Sequence, residues 1–312
     1  MSATTSIPLS ALELRAAMRA ARPYDPARLD RVLRVDERCG LIEVQAAAQW
    51  RTIAERLRPG DGRAARIGTS MPTVGESLAC NAAGPDGRPA VVHVESMMLV
   101  TPGGDLLRVS RSAHRELFGL VAGGQGVFGA LYSVTLHTGS LALALNEAVG
   151  AEVLASRAPG AVSRPLRLLL PPEELAPFLA EARAHCSAWR LPLSGVRVRR
   201  TRQENDTFLR WARRDYAAVM LGIGEPRALG AAVRAAQVRR ELIDRAIARG
   251  GSFALYCTPE ATRAQAEACY PQLRAFLAEK RRIDPAERLV NDWYRHYRGL
   301  FARGSRDVRW AS

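Results

Sequence analysis

Apolar and polar positions change period several times along the chain, and each change marks an element. Leu12, Leu14, Met18 and Ala21 recur at helical spacing behind Ser10, a residue suited to accept from N-terminal amides, and Pro23 closes that helix. The runs around RVLRV and LIEVQA are rich in β-branched residues and are joined at Asp36 to Gly40, which predicts a hairpin. Trp50 to Leu57 predicts a short amphipathic helix stopped by Pro59 and Gly60. From Gly68 to Thr138 short apolar segments alternate with glycine. Met97 to Val100 and Leu106 to Val109 flank Pro102-Gly103-Gly104 as a second hairpin, Arg115 to Leu120 reads as a helix, and Gly129 to Thr138 as a strand.

The pattern changes between Leu141 and Pro165, where alanine, glycine and proline dominate and a domain boundary is placed. Beyond it a strand at RLLL precedes a helix from Pro172 to Trp189, with Leu175, Phe178, Leu179, Ala182, Cys186 and Trp189 on one stripe. Strands follow at Val196 to Arg200 and Tyr216 to Ile223, then a helix from Arg227 to Arg249 ending at Gly250-Gly251, then SFALYC as a strand. That order, strand-helix-strand-strand-helix-strand, is the ferredoxin-like split arrangement, an antiparallel sheet beneath two helices. Thr262 to Arg282 is a further helix interrupted at Pro271, and the tail reads IDPAERLVNDWYRHYRGLF. The fold class is α+β, with domains at 1–145 and 146–280 and a closing segment at 281–312 that returns to the first.

At 312 residues the chain is long enough for two cores. It has no apolar run of about 20 residues and no signal-peptide pattern, so a cytoplasmic protein without membrane partners is expected. The five cysteines form no C-x-x-C pair, which argues against a disulfide framework and against a zinc site. The net charge of +14 raises the question of nucleic acid. Yet the basic residues are arginines spread along the whole chain, with Lys280 the only lysine, and VRVRRTRQ alternates like a half-exposed strand. The charge therefore reads as a composition bias rather than a phosphate track.

Candidate chemistry is sparse. Gly123-Gly124-Gln125-Gly126 is a tight turn before a buried strand and could pass close to a ligand. Asp292 and His296 lie four apart in the C-terminal helix, where they could form an oriented acid-base pair or simply face water. The other histidines lack metal-ligand spacing, no metal site is expected, and no G-x-S-x-G or Walker-type loop occurs.

The stretch GTSMPTVGESLACNAAGPDGRP, the hairpin SMMLVTPGGDLLRVS, the run HRELFGLVAGGQGVFGALYSVTLHT and the closing GGSFALYC and IDPAERLVNDWYRHYRGLF together carry a resemblance. In that order they resemble the vanillyl-alcohol-oxidase-like (PCMH-type) FAD-binding oxidoreductases over nearly the whole chain. The resemblance implies a shortened PCMH-type FAD domain followed by a ferredoxin-like cap. It implies FAD held by the backbone around Thr69, Ser70, Thr73, Gly75, Ser77, Asn81, Gly84, Gly124 and Gly126. It also implies oxidation of a small alcohol or C–H donor by hydride transfer to flavin, with Tyr256 as a catalytic candidate, to which the spacing of Asp292 and His296 adds His296.

Three departures from the family pattern fall on the cofactor site. The R-G-x-G-x-S-type loop that supplies diphosphate donors is missing between the first helix and the hairpin beginning near Arg31. Glu76 stands where relatives have the second glycine of T-V-G-G, and Ala83 stands where many have histidine. The alternative is thus an FAD-free derivative, acting either as the partner of a flavoprotein or as a non-redox enzyme such as a cyclase or lyase on a small-molecule substrate.

Overall fold

Alternation of buried and polar positions builds the first sheet. The computed structural model describes residues 5–59, 73–84, 86–141, 152–153, 162–191, 193–225 and 230–302. Strands β1 (Val32–Asp36), β2 (Leu41–Gln45), β3 (Val94–Val100), β4 (Leu106–Ser110) and β5 (Ala130–His137) pair antiparallel in the order β1-β2-β5-β3-β4. Val44, Val134, Met97 and Val109 lie in one cross-strand row, and all four are fully buried. One residue along, Glu43 and Thr135 pair on the opposite, polar face, where the Ser133 hydroxyl donates to Glu43 at 2.6 Å.

Helix α1 (Ala11–Arg19) lies against β3 and β5, capped by the Ser10 hydroxyl, which accepts from the Glu13 amide. Its Leu14 and Met18 join Leu29, Val100 and Ala130 in one apolar cluster. Helix α2 (Trp50–Leu57) forms over the predicted residues. Helix α3 (Val74–Ala79) is one that the glycine-rich stretch hid, and α4 (Arg115–Val121) follows the second hairpin.

The second sheet is also antiparallel. Strands β6 (Glu152–Val153), β7 (Val162–Leu170), β8 (Leu193–Thr201), β9 (Tyr216–Glu225) and β10 (Ser252–Phe253) take the order β10-β7-β9-β8-β6. Leu166, Leu221 and Val196 form a buried row facing helices α5 (Leu175–Ala188) and α6 (Ala231–Ala248). Arg167, Met220 and Arg197, one residue along, face the other way. The Arg245 guanidinium joins α6 to Glu181 of α5 at 2.9 Å, and His185 meets Glu241 at 2.6 Å.

SFALYC departs from the expected strand. Only Ser252 and Phe253 pair with β7, and Leu255–Cys257 turn into a 3-10 helix. The Ala254 carbonyl is captured locally, by the Cys257 amide at 3.3 Å and the Thr258 hydroxyl at 2.8 Å, so the chain leaves the sheet edge there.

Helices α7 (Arg263–Cys269), α8 (Leu273–Ile283) and α9 (Asp292–Ala302) complete the chain, with the break at Pro271 where the sequence predicts it. Two compact units result. The first comprises Met1–Ala148, Glu204–Arg210 and Ala275–Tyr294, and the second Val149–Gln203, Trp211–Arg274 and Arg295–Ser312. Most of the expected boundary region lies outside the described residues.

Candidate functional site

The residues that the resemblance marks for FAD fall in the first unit, where the fold itself employs them. Thr69 and Ser70 lie outside the described residues. Thr73 caps α3: its hydroxyl accepts from the Glu76 amide at 3.2 Å, and the Glu76 carboxylate accepts from the Thr73 amide at 2.8 Å. Glu76, a departure from the family pattern, is thus one half of a capping box. Gly75 gives its amide to the Ala46 carbonyl at 2.7 Å, and a Cβ at this position would stand 2.9 Å from that same oxygen. The Ser77 hydroxyl accepts from the Trp50 indole at 2.8 Å.

Asn81, fully buried and with a positive φ of 48°, accepts from the Val91 amide at 3.1 Å and donates to Glu204 at 3.4 Å. The Gly84 amide donates to the Arg88 carbonyl at 2.8 Å. At Gly124 an added Cβ would lie 1.9 Å from the Leu120 carbonyl oxygen, so the turn after α4 admits only glycine. Gly126, with φ +71°, faces open space.

Residues 204–210 cover this region. Glu204, 4% exposed, accepts from the amides of Asp206 at 2.7 Å and Thr207 at 3.0 Å and from the Thr207 hydroxyl. Phe208 donates its amide to the Gly119 carbonyl at 2.8 Å, and Thr207 carbons lie within 4.0 Å of where a Cβ on Gly123 would be. Arg111 holds the segment with a forked pair to Asp206 at 3.1 and 2.7 Å, while reaching the carbonyls of Val94 and Val91. Nothing in the local sequence of 204–210 signals this docking; it is a tertiary fact.

Among the described residues, the backbone groups expected to meet FAD are engaged within the protein. A diphosphate needs several amides aimed outward or nearby positive charge. Here the amides of Gly75, Gly84 and Gly124 are spent on protein carbonyls, as is that of Gln125, which meets Ala79 at 2.8 Å. Asn81 and Ser77 are engaged by side chains and backbone of the same unit.

A second constellation in the same unit is Asp86, His93 and Ser140. His93, 3% exposed, places Nε2 3.5 Å from Asp86 and Nδ1 3.0 Å from the Ser140 oxygen. The Ser140 hydroxyl lies between two acceptors, His93 Nδ1 and the His137 carbonyl at 3.3 Å. Burial would raise the Asp86 pKa, but the hydrogen bonds from His93 and the Arg88 amide, with the charges of both, hold it below its ordinary 3.8.

Because the folded value is the depressed one, the stabilisation is complete above 3.8 and is lost as pH falls through the folded pKa. Asp86→Asn is expected to flatten the fall of Tm between about pH 5 and about pH 2. A parallel curve, shifted but equally steep, would deny Asp86 this role.

Tyr256 and His296 belong to the second unit. Tyr256 sits on the 3-10 turn, half-buried, with its hydroxyl hydrogen-bonded to Arg167 and its ring under that guanidinium at 5.4 Å. His296, on α9, packs edge-on against Tyr297 at 4.8 Å and has a buried Nε2 without a hydrogen-bond partner. Burial lowers its pKa, opposed by the charge of Glu260. Asp292 begins α9 and is exposed.

Beside Tyr256 a cavity of about 230 Å³ opens at the edge of β7, lined by Pro165, Leu166 and Arg167, by Arg239 of α6, and by Cys257, Pro259 and Glu260. Burial raises the Cys257 thiol pKa, against the pull of Arg167, which keeps the sulfur protonated and neutral at neutral pH. Arg239 and Arg167 were not singled out from the sequence. The signal was there for Arg239, an arginine inside the buried stripe Ala235, Val238, Leu242, Ile243 and Ala246.

Among the described residues no cluster of three or more His, Cys, Asp or Glu could hold a metal ion, and no helix is long and apolar enough to cross a membrane. The sequence matches no protein-family model and no curated protein.

Proposed function

We propose that this chain is an FAD-independent derivative of the PCMH-type flavoprotein fold, acting on or binding a small molecule. The observation that carries this reading is the covering of Asn81 and the Gly119–Gly123 turn by residues 204–210, together with the internal use of the amides of Gly75, Gly84 and Gly124. A dinucleotide would have to displace a segment held by the Arg111–Asp206 fork and by buried Glu204. The missing diphosphate loop supports the same conclusion from the sequence.

The family resemblance is supported by architecture. The first sheet joins two hairpins through β5, and β7-α5-β8-β9-α6-β10 has the strand order of a ferredoxin-like cap. This architecture also favours a second reading, an FAD-dependent oxidoreductase of a small alcohol or C–H donor, in which residues 204–210 move aside.

The purified protein should be colourless, leave FAD fluorescence unchanged on titration, and show no rise in Tm with added FAD. A yellow protein, or saturable quenching of FAD, would establish the second reading instead. Retention on an immobilised flavoprotein without FAD binding of its own would turn the proposal toward a partner subunit.

A further inference from the structure

Asp86, His93 and Ser140, side chains for which neither reading of the cofactor has a use, meet within the first unit. The first sheet brings two of them together. His93 ends the 3-10 turn Ala90–His93 just before β3, Val94 of β3 pairs with Leu136 of β5, and Ser140 follows shortly after β5 ends at His137. Asp86 lies on the turn between Gly84 and Arg88, where a Cβ on Gly84 would crowd its Oδ1 at 3.0 Å. The Arg88 amide holds that oxygen at 3.0 Å. The other oxygen, Oδ2, faces His93 Nε2 at 3.5 Å, with Nε of the exposed Arg88 side chain at 3.7 Å.

The two nitrogens of His93 then take different roles. Nε2 is sealed from solvent and makes no closer bond among the described residues, so this carboxylate is the group it faces. Asp86, ionised at neutral pH, can only accept. The proton of the neutral ring therefore belongs on Nε2, and Nδ1 keeps its lone pair. That lone pair lies 3.0 Å from Ser140 Oγ, nearer than the His137 carbonyl at 3.3 Å. Because protonation of either imidazole nitrogen leaves the other a base, a carboxylate, an imidazole and a hydroxyl in this order can activate the hydroxyl in either orientation of the ring.

We propose that Ser140 is a nucleophile that accepts an acyl group, with His93 as its general base and Asp86 as the positioning residue, and that this site hydrolyses carboxylic esters. Ser140 is half-buried beside exposed Gly139, where an added Cβ would meet nothing within 4 Å, so an ester carbonyl can approach Oγ from that side. In the first step Oγ bonds the acyl carbon while its proton passes to Nδ1. The ester C–O bond breaks, and the leaving alcohol takes the proton from His93. Water then attacks the acyl carbon and gives a proton to Nδ1, the acyl–Oγ bond breaks, and Ser140 recovers the proton as the carboxylic acid leaves. Ester and water balance the reaction, which is independent of FAD.

The test is to treat the full chain with diisopropyl fluorophosphate, locate the adduct by peptide mass spectrometry, and follow hydrolysis of p-nitrophenyl acetate. A diisopropylphosphoryl adduct on Ser140 and saturable release of nitrophenol are expected. Ser140→Ala, at a half-buried position, should fold and lose both the adduct and hydrolysis above the rate in buffer. Asp86→Asn should lower kcat by about tenfold or more with KM little changed, at a temperature where the variant is fully folded. A purely structural role for Asp86 would leave kcat of the folded variant unmoved.

Absence of an adduct on Ser140, hydrolysis undiminished in Ser140→Ala, or an unchanged kcat in folded Asp86→Asn would each overturn the proposal. If Asp86→Asn does not fold, the adduct and Ser140→Ala decide the matter.

Discussion

Asp284→Asn is expected to destabilise the protein by about 3 kcal/mol, among the largest effects of any single isosteric change in the chain. Asp284 is 1% exposed and Lys280 0%. The carboxylate accepts from Lys280 Nζ and from the amides of Arg288 at 3.0 Å and Leu289 at 2.9 Å, closing the C-terminal end of α8. The amide side chain keeps an acceptor for one backbone donor but strands the buried ammonium, whose remaining neighbours are the Tyr294 ring at 5.6 Å and the charge of Glu287.

Burial already holds Lys280 below its ordinary 10.5, against the bond to Asp284 and the charges of Asp284 and Glu287. The variant depresses it further. A base with a lowered folded pKa binds fewer protons folded than unfolded, so stability rises with pH. The loss should therefore shrink between about pH 7 and about pH 9.5. Denaturant midpoints at both pH values measure it, and a loss under about 1 kcal/mol would show that the pair is not sealed from water.

The second large effect is expected at Phe276. Its ring, fully buried, meets Phe128 edge-on at 5.0 Å, Trp293 edge-on at 5.8 Å and Phe208 at 6.1 Å. Phe276→Ala should cost about 3–5 kcal/mol, from lost burial and an unfilled cavity. Because Phe208 lies in the segment that covers Asn81, loosening this cluster should also expose that segment. Faster amide exchange at Thr207 and Phe208, whose amides bond Glu204 and the Gly119 carbonyl, would report it. Unchanged exchange with a large loss of stability would mean that the segment is held by Arg111 and Glu204 alone.

The departures at the candidate cofactor site acquire physical meaning from these contacts. Glu76 lies in a Thr-x-x-Glu capping box, a signal visible in the sequence, yet the surrounding glycines drew attention away from a helix. Gly75 and Gly124 are needed for close backbone approach to Ala46 and Leu120, so their presence reports packing as readily as ligand contact. Asn81 supports a left-handed turn and ties two distant segments, a role that no window around it could reveal.

Period and punctuation along the chain were sufficient for the hairpins and for α1, α2 and α4 through α8, because those features depend on neighbours within a few residues. The return of Glu204–Arg210 to the first unit and the tie from Asn81 to Glu204 were decided by the folded structure. Each of these depends on which carbonyl, carboxylate or ring lies across a gap of tens to hundreds of residues. Local spacing carries no information about such a partner.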